Sequence, residues 1–407
     1  MISVLCLQCH IVTRIPSNRL SVDDTSADDT SADLVVIGLG AMGSATADAA
    51  ARLGHTVIGL EAFAQGHGRG SSHGPTRMLR RSVEEGPQYV PLILDALPRW
   101  AELNDDARSP VTDLRGAIRI APTGSPLHAS FVASAVAFGL EYDHLSAREV
   151  NAQFPAFSVP EGYSAMFEHE AGVLYADRTV RALQDRASRH GASLHFDEPV
   201  VSWESNGDTV VVRTANATYH AARLVITGGA WTTALAADLG LPLVPTRVVN
   251  ASFQPLERRP FEVDRLPAFI VSDGNEGVYG IPAVDGQGVK VGGGGTPADP
   301  DDVDRVVSDE EIAHLRGFVD RFLPAASGPV SSVLTCLYTV APDGHFVIDR
   351  HPDHDNVVIA SPCSGHGFKY TTAIGPLLAE LAFTGRTTLP IDSFSIGRFA
   401  PIRTGTP

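Results

Sequence analysis

One stretch constrains this chain more than any other: Asp33 to Glu61, DLVVIGLGAMGSATADAAARLGHTVIGLE. Leu34 to Ile37 is a short apolar, β-branched run, the pattern of a buried parallel strand. Gly38, Gly40 and Gly43 then form G-x-G-x-x-G. The first glycine allows a tight turn, the second lets backbone approach a pyrophosphate, and the third lets helix pack on strand. The Ala-rich run from about Ala41 to Leu53 predicts a helix, closed by Gly54. Its N-terminal N–H groups and dipole suit phosphate. A second strand, Thr56 to Leu60, leads to Glu61, 18 residues beyond Gly43. An acid there accepts hydrogen bonds from ribose hydroxyls. A lone G-x-G-x-x-G is weak; one set between strand and helix, with an acid at this distance, predicts adenine-dinucleotide binding.

The chain has 407 residues, 43% of them hydrophobic and 19% charged, enough for two or three globular domains. A formal net charge of −16 argues against nucleic acid, which calls for clustered Lys and Arg. No run of 18 apolar residues is present, so no membrane span is predicted. Four cysteines make no disulfide framework and suit a reducing, cytoplasmic compartment. No metal-ligand cluster is read.

Residues 1–32 read as a disordered extension. Asp23 to Ala32 is DDTSA written twice, acidic and low in complexity. Cys6-Leu-Gln-Cys9-His10 matches the C-x-x-C-H of haem attachment. That chemistry needs export, and Met1 to Val12 is a poor signal peptide.

After Glu61 comes a loop without periodicity, holding His73, Thr76, Arg77, Arg80 and Arg81. On a helical turn Arg77 and Arg80 share a side. Such a cluster in an acidic protein either builds a carboxylate or phosphate site or forms surface salt bridges to Glu84 and Glu85. From Tyr89 the pattern is helical. Further on, residues 127–139 and 147–153 read as helices and GAIRIAP (Gly116–Pro122) as a strand. Residues 178–190 form a helix before strands near 193–196, 199–204 and 209–213. Leu224 to Thr227 is another buried strand, ending in Gly228-Gly229, where a ligand can approach the backbone. Residues 246–295 alternate like antiparallel strands. Val357 to Ala360 is a buried strand, and a helix covers about Thr371 to Thr384.

The loop GSSHGPTRMLR and then EGPQYVPL, behind G-x-G-x-x-G, resemble the flavin-dependent oxidases of secondary amino acids, the monomeric sarcosine oxidase and N-methyltryptophan oxidase family. TCLYTVAPDGHFVID, NVVIASPCSGHGFKY and SFSIGRF extend the resemblance over about Asp33 to Phe399. It implies an α/β chain, α+β overall, with a Rossmann-like FAD-binding domain (33–112, 172–242 and 331–399). A discontinuous antiparallel-sheet substrate domain takes 113–171 and 243–330. It implies FAD as cofactor, a small amino acid substrate, O2 as acceptor, hydrogen peroxide as product and a monomer.

The resemblance also implies roles. Ser71, His73, Thr76 and Arg77 of the loop lie against the flavin, with Arg77 and His73 beside the reacting edge. Gly228 lies past the dinucleotide. Gly365 and Gly367 face the flavin pyrimidine at the start of the last helix. Lys290 is held against the flavin face, usually through water, where a cation stabilises charge as oxygen is reduced. Tyr279 and Tyr338 line the substrate pocket, and Arg80 with Lys369 holds the substrate carboxylate. Lys369 also closes the cofactor loop. Cys336, followed by x-Tyr-Thr, matches the cysteine that forms a thioether to the flavin ring. Cys363 matches no family role and reads as packing. Pro75 replaces the usual Asp, Val83 a Tyr, and Gly294 a pocket His. These departures imply a wider pocket in which sarcosine is a poor substrate and a bulkier N-substituted or cyclic amino acid a better one.

Overall fold

The computed structural model describes residues 30–83 and 85–399. The C-x-x-C-H motif and most of the predicted extension lie outside them. Thr30–Ile37 is a strand of eight residues. Its alternation divides two cores: Leu34 and Val36 join one cluster, Val35 and Ile37 another. Both faces are covered, which is why this run is continuously apolar. It pairs in parallel with Val57–Leu60 on one side and Thr218–Ile226 on the other. His354–Ser361 adds to Thr218–Ile226, also in parallel, and Ser193–His195 adds to Val57–Leu60. This is the doubly covered sheet expected of the dinucleotide domain. The Ala41–Arg52 and Thr371–Thr384 helices pack on it. They meet where Gly375 lies against Ala45; a Cβ on Gly375 would stand 2.5 Å from the Ala45 backbone.

Thr30, Ser31 and Ala32 were expected to be unstructured. They pair with Tyr219, His220 and Ala221 instead. Backbone pairing needs no apolar side chain, so the strand extends into the low-complexity repeat.

The second sheet has eight strands. From one edge it runs Val330–Val340, Val244–Phe253, Val289–Pro297, Gly277–Ile281 and Ala268–Ser272. Val330–Val340 pairs with Val244–Phe253, so this sheet takes in residues assigned from sequence to the first domain. The sheet is antiparallel except where Ala268–Ser272 runs parallel to Ala117–Pro122. Its faces differ in kind. Val249, Ala251, Phe253, Phe269, Val278, Val289 and Val291 pack into an aromatic-rich core under the Asp309–Phe322 helix. The alternate residues Asn250, Ile270, Tyr279, Lys290 and Cys336 line a cavity. One face thus makes the core and the other makes the site.

Candidate active site

The cavity has a volume of about 1330 Å³, above the roughly 300–1,000 Å³ of drug-sized ligand sites, and runs from the glycine turn to the second sheet. At one end lies the turn. Gly38 has φ +88°, the left-handed region that glycine adopts without strain. A Cβ on Gly43 would stand 1.8 Å from the Gly38 carbonyl oxygen. Thr227 pins the turn by donating its hydroxyl to the Ile37 and Gly38 carbonyls at 3.0 and 2.8 Å. Gly40 is the N-cap of the Ala41–Arg52 helix and has no side chain of its own to cap it; Ser72 accepts from Ala41 N, and the first turn holds no acid. Gly40, Ala41 and Met42 line the cavity, so the positive end of the helix dipole faces it. These features fit a pyrophosphate.

Glu61 also lines the cavity. Its carboxylate accepts from Leu39 N at 2.8 Å and from Phe63 N at 3.2 Å. Two oxygens carry about four lone-pair sites, so capacity remains for ribose hydroxyls. Gly228 borders the same end, near Trp231 and Phe63, whose rings lie 5.2 Å apart.

The middle of the cavity is framed by the loop from Gly70 to Thr76. Arg77 staples it, donating to the carbonyls of Ser71, His73 and Thr76 at 2.7 Å each. Ser71 donates its hydroxyl to the Leu337 carbonyl. His73 shares a hydrogen bond of 3.0 Å between Nε2 and the Thr335 carbonyl. A carbonyl only accepts, so Nε2 carries the proton. Burial, then the Arg77 charge, push the His73 pKa down to about 4. The imidazole is neutral at physiological pH. Folding stability is therefore expected to fall as pH drops from about 6.5 toward 4, where the unfolded chain takes up the proton and the fold does not. The loss is up to about 1.4 kcal/mol per pH unit for this group. Urea midpoints across that range check it; His73→Gln should flatten the slope.

Part of the expected loop is extended, so Arg77 and Arg80 do not share a helical turn. Thr76–Leu79 is a strand, with Arg80 following it. Both arginines still reach the cavity. Arg81 pairs outward with Glu170. Arg80 Nη2 pairs with Glu85 Oε1 at 2.6 Å. Lys369 Nζ lies 3.5 Å from the same oxygen and donates to the His366 carbonyl at 3.0 Å. Burial works to raise the Glu85 pKa, but Arg80, Lys369 and His366 hold it well below the usual carboxylate range. The sequence left a carboxylate site and surface salt bridges equally open; Arg81 makes an outward pair with Glu170, Arg80 makes a buried one with Glu85, and Glu84 lies outside the described residues.

Lys290 lines the cavity, and its Nζ donates to the Thr76 carbonyl at 2.7 Å. Burial, then Arg77, push its pKa well below that of a free lysine. Tyr338 donates to the Tyr279 hydroxyl at 3.3 Å. Cys336 is buried beside them and lines the cavity, as does Cys363. Gly365, with φ +82°, packs on the Tyr338 ring, and Gly367 begins the turn that carries Lys369. Of the departures, Gly294 lines the cavity, with no heavy atom within 4 Å of where a side chain would begin. Val83 does not line it and packs in the helical core. Three contributors were not singled out in the sequence: Ser72, which accepts from Ala41 N at 2.9 Å; His366; and Asn250.

A glycine turn, a helix N-terminus and a cavity-lining acid, opening into a pocket with Arg80 and Lys369 on one carboxylate, fit a dinucleotide-dependent oxidoreductase. The match to the family model "FAD dependent oxidoreductase" covers residues 33–381, and the chain belongs to this family. It is 40% identical over 375 residues to a monomeric sarcosine oxidase of Streptomyces avermitilis, covering 90% of this chain and 97% of that protein. It is 32% identical over 374 residues to an N-methyl-L-tryptophan oxidase of Citrobacter koseri, covering 90% and 98%. The fold matches NikD, an amino acid oxidase essential for nikkomycin biosynthesis, with TM-score 0.81 at 24% identity over 90% of this chain and 97% of that one. It also matches a glycine oxidase of Geobacillus kaustophilus, with TM-score 0.79 at 22% identity over 91% and 100%. The protein is an FAD-dependent oxidoreductase. Among the described residues, no helix is long and apolar enough to cross a membrane.

Proposed function

We propose that the protein is an oxidase of secondary amino acids, N-methylated or cyclic, that yields an imine and hydrogen peroxide. The observation that carries this is the convergence of Arg80 and Lys369 on one carboxylate, that of Glu85, at the end of the cavity lined by Tyr279 and Tyr338. Two cations from distant parts of the chain suit an α-carboxylate, and Glu85 holds them together at this place in the cavity. FAD would be held by Gly38, Gly40, Gly43, Glu61, Gly228 and the Ser71–Arg77 loop, with Thr76 and His73 beside it. When bound it accepts a hydride equivalent and passes two electrons to oxygen.

Arg80 and Lys369 bind the substrate carboxylate and so orient its N–CH bond. Tyr279 and Tyr338 wall the reacting group off from water. No side-chain base is assigned: burial and the Arg77 charge push His73 down to about 4 and make it a weak base at neutral pH, so the amine reacts in its neutral form. Lys290 and Arg77 supply positive charge where oxygen is reduced. Gly365 and Gly367, ahead of the Thr371–Thr384 helix, border the cofactor ring. The open space at Gly294 and the apolar wall of Ile270 and Ile281 favour an apolar substituent larger than that of sarcosine. The sarcosine and N-methyltryptophan oxidases similar to this chain support the reading. The protein acts as a cytoplasmic monomer, with only small molecules as partners.

Cys336 carries the flavin as a thioether. Acid precipitation of wild type and Cys336→Ala tests this. Flavin in the wild-type pellet and in the mutant supernatant is the expected result; flavin in both supernatants would refute attachment.

A further inference from the structure

Asn250 is buried on the cavity face of the second sheet, in a row with Gly292 and Tyr279. Asn250 pairs with Gly292 across one strand boundary, and Gly292 with Tyr279 across the next. Residues two strands apart are separated by about 9.6 Å. Their side chains meet only if the residue between them has none. A Cβ on Gly292 would stand 2.4 Å from Asn250 Oδ1 and 2.6 Å from the Tyr279 hydroxyl. Because it is glycine, Tyr279 donates to Asn250 Oδ1 at 2.7 Å. Tyr279 in turn accepts from Tyr338 at 3.3 Å.

This chain of hydrogen bonds has a direction. A tyrosine whose oxygen accepts from Tyr338 gives its own proton to Asn250. The Asn250 carbonyl is thereby fixed toward Tyr279, and its NH2 must point the other way. There Nδ2 donates to Cys336 Sγ at 3.9 Å, at the long end for sulfur. Cys336 is the diagonal neighbour of Asn250, since Asn250 pairs with Leu334 and Val248 with Cys336. An amide NH2 cannot accept from a thiol, so this contact favours sulfur without its proton.

We propose that Asn250 is the positioning residue for Cys336, its amide locked by Tyr279 so that it donates to Sγ and holds the sulfur ready for attachment to the flavin. This rests on the attachment reading given above. Attachment joins Sγ to the ring methyl carbon. The thiol loses its proton and the methyl one hydrogen; two electrons and two protons go to dioxygen, giving hydrogen peroxide. Atoms and electrons balance, and the reacting form of sulfur is the thiolate. Burial, with a smaller push from Cys363, holds the Cys336 thiol above its ordinary value, and Arg77, Lys290 and Asn250 pull against that rise. The other groups facing it are Tyr279 and Tyr338.

The test uses the full chain made without flavin under riboflavin limitation. Alkylation of Cys336 by iodoacetamide is followed by mass spectrometry as pH is raised. FAD is then added in air and acid-stable flavin is measured over time. In Asn250→Leu the alkylation midpoint should rise by about one unit, and attachment at neutral pH should slow about tenfold and recover as pH is raised. Tyr279→Phe keeps Asn250 but unlocks the amide, and should shift both readouts in the same direction by less. Midpoints and attachment rates equal to wild type in both variants would overturn the proposal. A wild-type chain that titrates as expected but acquires no acid-stable flavin would instead refute the attachment reading.

Discussion

Lys369→Met is expected to lower kcat/KM for an amino acid substrate by about a hundredfold or more. Removing one partner from a buried charge pair costs about 2–5 kcal/mol. Lys369 is 3% exposed, and its ammonium stands 3.5 Å from the carboxylate that Arg80 also holds. The fold should tolerate the change, because Glu85 keeps its 2.6 Å pair with Arg80. The diagnostic comparison is the same amine with and without its α-carboxylate. If Lys369 binds that carboxylate, the mutant loses most of the preference for the amino acid and little of its rate on the decarboxylated amine. A preference equal to wild type would remove Lys369 from substrate binding.

Gly43→Ala should have an effect of similar size on the other half of the cavity. The added Cβ would fall 1.8 Å from the Gly38 carbonyl oxygen and 2.5 Å from Thr227 Oγ1. Neither can retreat easily: the carbonyl is backbone, and Thr227 Oγ1 is bonded to that same turn. The helix must move off the strand, at a cost of about 3 kcal/mol or more. The turn then no longer shapes a pyrophosphate site. Flavin content after purification and the thermal midpoint report this together. A mutant that keeps stoichiometric FAD and the wild-type midpoint would contradict the account of the turn.

The legibility of this chain follows from how local each feature is. The strand–turn–helix from Leu34 to Arg52 was readable because glycine sterics act within a few residues. The helices Ala147–Gln153 and Thr371–Thr384 fall where the pattern put them. Thr76–Leu79 did not, because four residues are too few to show a period. Asn250 was passed over because a polar residue in an alternating strand looks solvent-facing. Here that face borders a cavity, and only the pairing of strands reveals it. The Arg80–Glu85–Lys369 cluster was partly visible: the cations were matched by resemblance and Glu85 was named as a partner of the arginines, while the meeting of Glu85 with Lys369 depends on tertiary contact. Cys336 and Tyr338 were found, but their strand joins the second sheet, since sequence order does not say which neighbour a strand takes.

The central claim, oxidation of a secondary amino acid through FAD, is tested most directly by mixing the purified yellow protein with N-methyl and cyclic amino acids without oxygen. The account predicts that the flavin bleaches, fastest with a bulky apolar substrate and slowly with sarcosine. Admitting oxygen should restore the colour with one hydrogen peroxide per imine. Protein that carries no flavin, or flavin that no secondary amino acid bleaches, would contradict it.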